Sequence, residues 1–155
     1  MYEKVLVPLD GSKLAEYALD HVKGLFRDGA IGEITILNVV RADVQWAGME
    51  GIGLEIFKMR ETVLASAKKY LNEMASRLGS EGIKVKTEVL EGDRPASIIF
   101  EYAQKNGMDL IVIATHGYSG LKKMMFGSVA YGIIHESHIP LFLIRPPESI
   151  GGKRI

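Results

Sequence analysis

The chain has 155 residues and a mass of 17.1 kDa, one domain's worth, with 19 basic residues balancing 19 acidic ones and no cysteine. That arithmetic excludes a disulfide framework, a thiolate metal site and a cysteine nucleophile, and zero net charge argues against a protein that coats nucleic acid or an anionic membrane. Glycine is the outlier, at 17 residues or about 11%, against roughly 7% in an average chain.

Val5-Leu6-Val7, bounded by Lys4 and Pro8, reads as a short buried strand. Asp10-Gly11-Ser12 then interrupts the chain, with Ser12 placed to cap a helix. In that helix Leu14, Ala15, Ala18, Leu19, Val22, Leu25 and Phe26 share one face. Gly29 and Gly32 end it and turn into a second strand, Ile34 to Val40. From Arg41 to Ile56 the period is lost and Gly48, Gly51 and Gly53 crowd together, the pattern of a mobile loop. A long helix runs from about Phe57 to Leu78, with Val63, Ala67, Leu71, Met74 and Leu78 three or four apart, and Gly79 and Gly82 close it.

Lys84 to Leu90 alternates polar and apolar residues, as an edge or half-covered strand does. Gly92-Asp93-Arg94-Pro95 opens the next helix, with Asp93 expected as its cap and Pro95 in its first turn. Ile98, Ile99, Tyr102 and Ala103 are its buried face, and Asn106-Gly107 stops it. Leu110 to Ala114 is the most continuous β-branched run, as a central parallel strand requires. A glycine-punctuated segment, Thr115 to Phe126, leads to a helix over about Gly127 to Glu136. Pro140 to Ile144 is the last strand, and 147–155 is a short tail.

Strands alternating with helices must be parallel, and right-handed crossovers put helices on both faces of one sheet. The expected fold is therefore an open five-stranded, doubly wound α/β domain spanning 1–155. Its ligand crevice belongs at the carboxyl ends of the strands: Asp10-Gly11-Ser12, Val39-Val40, Glu91-Gly92-Asp93 and Ala114-Thr115-His116-Gly117. The longest apolar runs fall far short of the roughly 18 residues of a membrane span. The N-terminus shows no basic segment followed by a long apolar one, so no signal peptide is visible and a cytoplasmic location is expected.

The segment from Ala114 to Ser128 carries the strongest chemical signal. It joins a buried strand to a helix and holds Gly117, Gly120 and Gly127, with Ser128 at the helix entry. Glycine lets backbone N–H groups approach a phosphate, and a helix N-terminus supplies partial positive charge. On these residues alone, anion binding and a plain connecting loop stand level. The segment lacks the lysine of a Walker A loop, no G-x-G-x-x-G follows the first strand, and no G-x-S-x-G elbow occurs.

Weaker candidates each have a plainer reading. Asp10 alone reads equally as a helix cap. His116 reads better as a hydrogen-bonding loop residue than as a phosphate or metal contact. His21, His135 and His138 lack metal-ligand spacing, and Lys122 and Lys123 read as solvated surface. Arg41 and Asp43 reach the crevice only if the loop after them folds over it.

Taken together, these residues resemble the universal stress protein family. Ala114-x2-Gly117-x9-Gly127-Ser128 stands where its ATP-binding members carry Gly-x2-Gly-x9-Gly-Ser/Thr, three of the four positions in register. Val5 to Ser12, Gly92 to Ala96 and Asp109 to Ile113 extend the likeness, which covers Lys4 to Arg145. The resemblance implies a Rossmann-like sheet of the adenine nucleotide alpha hydrolase type. It also implies a stress-response regulatory protein that binds ATP, or AMP or ADP in its place, with Mg²⁺ or Mn²⁺ as companion cation.

Carried over by position, Gly117, Gly127 and Ser128 would hold the phosphates, with Ala114 and His116 in the same loop. Asp10, beside Pro8, would accept from the ribose hydroxyls, and Val39 would meet the adenine edge with its main chain. Ala114 departs from the family's glycine, which implies weakened or retained binding rather than its loss. No general base stands beside a γ-phosphate, so slow hydrolysis is the most that is expected. The alternatives are a slow ATP hydrolase and a dimeric interaction module of the same fold that binds no nucleotide. The last strand, Leu141 to Ile144, lies at a sheet edge in the family, and an apolar edge invites pairing. A homodimer through that strand and a regulatory protein partner are the expected associations, with no nucleic acid and no membrane.

Overall fold

In the computed structural model, five strands and four helices alternate among the described residues, 1–41, 53–115 and 127–147. They are β1 (Tyr2–Pro8), α1 (Lys13–Arg27), β2 (Ile31–Val40), α2 (Gly53–Gly79), β3 (Val85–Glu91), α3 (Pro95–Lys105), β4 (Leu110–Ala114), α4 (Ser128–Glu136) and β5 (Leu141–Ile144). All pair in parallel in the order β3-β2-β1-β4-β5. The chain therefore winds outward from β1 through β2 to β3, then crosses back to build β4 and β5 on the other side. The strand order reverses between β1 and β4.

Strand alternation divides the core in two. Val5, Val7, Leu9, Ile34, Ile36 and Val112 pack with Ala18, Leu19 and Val22 of α1 and Leu71, Met74 and Leu78 of α2. Leu6, Leu37, Ile111 and Ile113 pack with Ile99 and Ala103 of α3 and Ala130 and Ile133 of α4. Each fully buried aliphatic side chain of this kind contributes roughly 1.5–3 kcal/mol. The β4 strand is buried at all five positions, as its unbroken apolar run requires, whereas alternating β3 is only partly covered at the sheet edge. At the amino ends, Asp109 Oδ2 accepts from the Glu3 and Lys4 N–H groups at 2.9 and 2.8 Å, locking the start of β4 to β1. Among the described residues, no helix is long and apolar enough to cross a membrane.

Four local expectations need correcting. The α2 helix starts at Gly53 rather than near Phe57, so the loop expected to reach Ile56 ends earlier, and 42–52 lie outside the described residues. At 27 residues α2 is about 40 Å long against about 23 Å for β3. Its first turns overhang the sheet, leaving Leu54 66%, Phe57 55% and Val63 42% exposed, so the apolar period there does not mark the core. Gly32 lies inside β2 instead of ending α1. A Cβ at that position would sit 2.8 Å from the Glu3 carbonyl oxygen, so its role is close strand approach. Asp93 does not cap α3: Pro95 takes the first helical turn and restricts Arg94, which fills the cap position without a side-chain bond. That leaves Asp93 one residue too far away. By contrast Ser12 caps α1 as its position predicts, its Oγ accepting from the Ala15 N–H at 3.1 Å.

The seat of α4 on α3 is a glycine contact, since a Cβ on Gly132 would lie 2.5 Å from the Ala96 Cβ. Gly24, within α1, has nothing within 4 Å of its missing Cβ. The same substitution should therefore act in opposite directions. In urea titrations Gly24→Ala is expected to stabilise by about 0.5–1 kcal/mol, through helix propensity alone. Gly132→Ala is expected to destabilise by about 1–3 kcal/mol, because the backbones must separate to admit the methyl group. Equal shifts of one sign would show that α3 and α4 are not in close contact.

Candidate functional site

A cavity of about 370 Å³ opens at the carboxyl ends of β1, β2 and β4, beside the strand-order reversal. Its lining brings together Pro8, Asp10, Val39, Ala114, Gly127 and Ser128, six positions drawn from four separate stretches of chain. His116 and Gly117 lie outside the described residues, as do Asp43, Lys122 and Lys123. Leu37, Val39 and Arg41, two residues apart on successive same-face positions, all reach the lining.

The end of β1 is held firmly. The Leu9 N–H donates to the Leu37 carbonyl at 2.8 Å, and Asn38 Nδ2 donates to the Leu9 carbonyl at 2.8 Å. Asp10 then forms a turn in which its Oδ1 accepts from the Ser12 N–H at 2.9 Å, around Gly11 at φ +86°. Capping of α1 thus belongs to Ser12 and not to Asp10. The other carboxylate oxygen of exposed Asp10 has no hydrogen-bond partner among the described residues.

The opposite wall is the start of α4. Gly127 sits at the N-cap with φ +73° and has no side chain to cap the helix with. Among the described residues, no side chain takes the first amide N–H groups of α4, which lie at the partially positive end of the helix dipole. Ala114 ends β4 opposite Ile144, and Thr115 is tied to that same residue by its N–H at 2.8 Å. Ala114 itself is among the lining residues, and its buried side chain belongs with Val112 to the core packed against α1 and α2.

Leu14, Ala15, Pro95, Ile99 and Ile113 complete an apolar wall that the sequence does not single out. Helical periodicity reports which face of α1 or α3 a residue occupies, not its height above the sheet edge. Across the cavity the arrangement is an amide cluster at α4, a carboxylate at β1 and an apolar slot at β2. Two strand spacings, about 10 Å, separate β4 from β2 on either side of β1. It suits an elongated ligand with an anionic end, a hydroxylated middle and a flat apolar end.

Among the described residues, no group of three or more His, Asp or Glu is arranged to hold a metal ion. The described histidines pack against aromatic rings: His21 on Tyr17, His135 on Tyr131 and His138 on Phe100. At the end of β3 a two-point Arg60–Glu91 pair, at 2.7 and 2.5 Å, anchors the overhanging α2 and holds Glu91 below the usual carboxylate range. On α2, Tyr70 donates to Glu16 Oε1 at 3.3 Å. Burial first, then the charges of Glu16 and Asp10, push its phenol upward.

Comparison with known proteins is consistent across sequence and structure. The sequence pattern of the Universal stress protein family matches residues 1–145. Universal stress protein YxiE of Bacillus subtilis is 33% identical over 150 residues, covering 94% of this chain and 100% of its own. Universal stress protein MJ0577 of Methanocaldococcus jannaschii is 30% identical over 161 residues, covering 96% of this chain and 98% of its own. Its solved structure superposes with a TM-score of 0.76, covering 95% of this chain and 98% of that one. Two more distant folds, each 19% identical, are a universal stress protein solved in complex with cAMP and one from Archaeoglobus fulgidus solved in complex with dAMP. They have TM-scores of 0.67 and 0.55, covering 93% and 92% of this chain and 97% and 96% of theirs.

The shift at Tyr70 has a pH consequence. A phenol that ionises less readily when folded adds stability that is complete below about pH 10, the ordinary tyrosine value, and is lost as pH rises toward the folded value. Wild-type urea midpoints should therefore fall more steeply above about pH 10 than those of Tyr70→Phe. Parallel curves would show that the phenol is not held up by its surroundings.

Proposed function

The chain belongs to the universal stress protein family, and on that premise we propose that it is a stress-response regulatory protein binding ATP, or AMP or ADP in its place, in the cavity at the carboxyl ends of β1, β2 and β4. The observation that carries this reading is the order of groups across the cavity. It runs from the α4 amides at Gly127 and Ser128, through the Asp10 carboxylate oxygen that no described residue engages, to the slot at Val39. These suit phosphates, ribose hydroxyls and an adenine edge in turn. The cAMP and dAMP complexes of two proteins of this fold add support. Gly117 and His116 complete the phosphate loop on the same reading.

Backbone amides and a helix dipole hold an anion without a basic surface, so zero net charge does not oppose the assignment. A companion Mg²⁺ or Mn²⁺ would be held by phosphate oxygens and water, since a hard cation on a nucleotide keeps most of its ligands outside the protein. Asp10 is the only carboxylate among the described lining residues and stands at the ribose position, so efficient hydrolysis is not part of the reading. The protein is read as cytoplasmic, acting through a regulatory partner whose access depends on nucleotide.

Ala114 favours a second reading, a dimeric module of the same fold that binds no nucleotide. Its methyl group removes room where the family pattern has glycine, but it removes no donor, so weaker binding is expected rather than none. In either case β5 is the edge that would pair, with no described strand on its outer side and Phe142 and Leu143 43% and 38% exposed. We propose a two-fold homodimer through Leu141–Ile144.

Mass spectrometry of freshly purified, denatured protein is expected to show a co-purifying adenine nucleotide. Calorimetry with ATP and Mg²⁺ should give saturable binding that Gly127→Val weakens at least about tenfold, because valine is strained at φ +73° and blocks the amides. Ala114→Gly should bind more tightly than wild type. Equal affinity in wild type and Gly127→Val would remove the site, and no nucleotide by either method would favour the second reading. Light scattering should report a dimer at micromolar concentration, and Leu143→Lys should yield the monomer. A wild-type monomer would remove the β5 interface.

A further inference from the structure

We infer that Asn38 is a positioning residue for the ribose-facing carboxylate of Asp10, a role that rests on the nucleotide reading above. Asn38 is 9% exposed, and the described residues include just two other buried polar side chains, Thr35 and Thr115. It lies on the face of β2 turned to α1 and α2, in register after Ile34 and Ile36 at alternate positions. Packing alone asks for a third aliphatic residue there, because a buried amide is unfavourable unless its hydrogen bonds are made.

The amide acts on the peptide that leads into Asp10. Its Nδ2 donates to the Leu9 carbonyl at 2.8 Å, across 29 residues of sequence. The N–H of Leu9 is already bound to the Leu37 carbonyl at 2.8 Å. Leu9 is thus held to β2 at both of its backbone polar groups, the second by a side chain after β1 has ended. Because the Leu9 carbonyl belongs to the planar Leu9–Asp10 peptide, fixing its direction fixes how the chain enters Asp10. From the other side, the Asp10 Oδ1 bond to the Ser12 N–H and the Ser12 cap on α1 fix the carboxylate's rotation. Between these two restraints the free oxygen of Asp10 has one direction. Without the Asn38 amide the Leu9 carbonyl loses its partner, and the Leu9–Asp10 peptide is held only through the Leu9 N–H and from the α1 side. Asn38 also immediately precedes Val39, so one residue ties the ribose end of the site to its adenine end.

The signature of such a role is discrimination at the ribose, not affinity as such. We compare ATP with 2′,3′-dideoxy-ATP by calorimetry on the full chain. Wild type is expected to prefer ATP by about tenfold or more, the effect of hydrogen bonds to a charged group, and Asp10→Ala to lose that preference. Asn38→Leu, which keeps the volume and the aliphatic pattern of β2, should bring the ratio below about threefold while the dideoxy compound binds much as before. The double variant should add nothing to the ratio of Asp10→Ala.

A purely structural role would weaken both ligands equally and leave the wild-type ratio; that result in folded Asn38→Leu overturns the inference and leaves the nucleotide reading intact. Equal binding of the two ligands by wild type removes the ribose contact and the inference with it, whereas binding of neither removes the nucleotide reading itself. Should Asn38→Leu not fold, the test moves to the wild-type Asn38 side-chain amide resonance. It is expected to shift on saturation with ATP and not with the dideoxy compound, and equal shifts overturn the inference.

Discussion

The position of β1 between β2 and β4 is the constraint on which the rest of the molecule depends. Because the chain builds outward on one side of β1 and then on the other, right-handed crossovers send α1 and α2 to one face and α3 and α4 to the opposite one. The segments leaving β1 and β4 consequently diverge, and a cleft at their carboxyl ends follows from topology rather than from any particular side chain. The amino ends are closed instead, where one Asp109 oxygen takes two β1 amides. The β1–β4 junction is tied at its amino end and open at its carboxyl end.

Side chains then decide how firmly each part of the cleft is held. At β1 and β2 the backbone is fixed by ladder bonds, the Asn38 amide and the Asp10–Ser12 turn, so this end is rigid in the way a binding site on regular structure should be. The α4 end depends on helix packing, and its seat on α3 is the contact of Gly132 with Ala96. That contact is close because neither residue has a side chain beyond Cβ. Orientation of the amide cluster at Gly127 is therefore coupled to the α3–α4 interface, whereas orientation of Asp10 is coupled to β2.

Much of this was legible in the residues, for reasons that also explain the misses. The β4 run, the face of α1, the Ser12 cap and the half-covered character of β3 follow from periodicity and capping chemistry that act locally. Strand order does not follow, because alternation dictates parallel pairing without saying which strands are neighbours. The first turns of α2 escaped because an overhanging helix has no core to pattern it, and Gly32 misled because a glycine serving close approach looks like one serving a turn. At the candidate site, Gly127 and Ser128 stand out through backbone freedom and donor chemistry, whereas Asp10 by itself reads equally as a helix cap and joins them only through the resemblance. Leu14 and Ile99 did not, since an aliphatic residue lining a cleft carries the same signal as one buried below it. Asn38 was visible only as a break in an aliphatic strand.

Zero net charge and surplus glycine are two sides of one design on the nucleotide reading. An anion bound by lysines would leave a basic surface, detectable in composition. An anion bound by main-chain amides needs close approach, which glycine permits and charge does not supply. Among the described residues, the charged groups at the cavity are Asp10 and Arg41, which cancel. The field that would favour phosphate then comes from the α4 terminus, whose influence falls off within about a turn. Such a site is sensitive to distance and indifferent to overall charge. On that reading a change at Ala114, which is in the lining, bears on the site more directly than a change at a surface lysine.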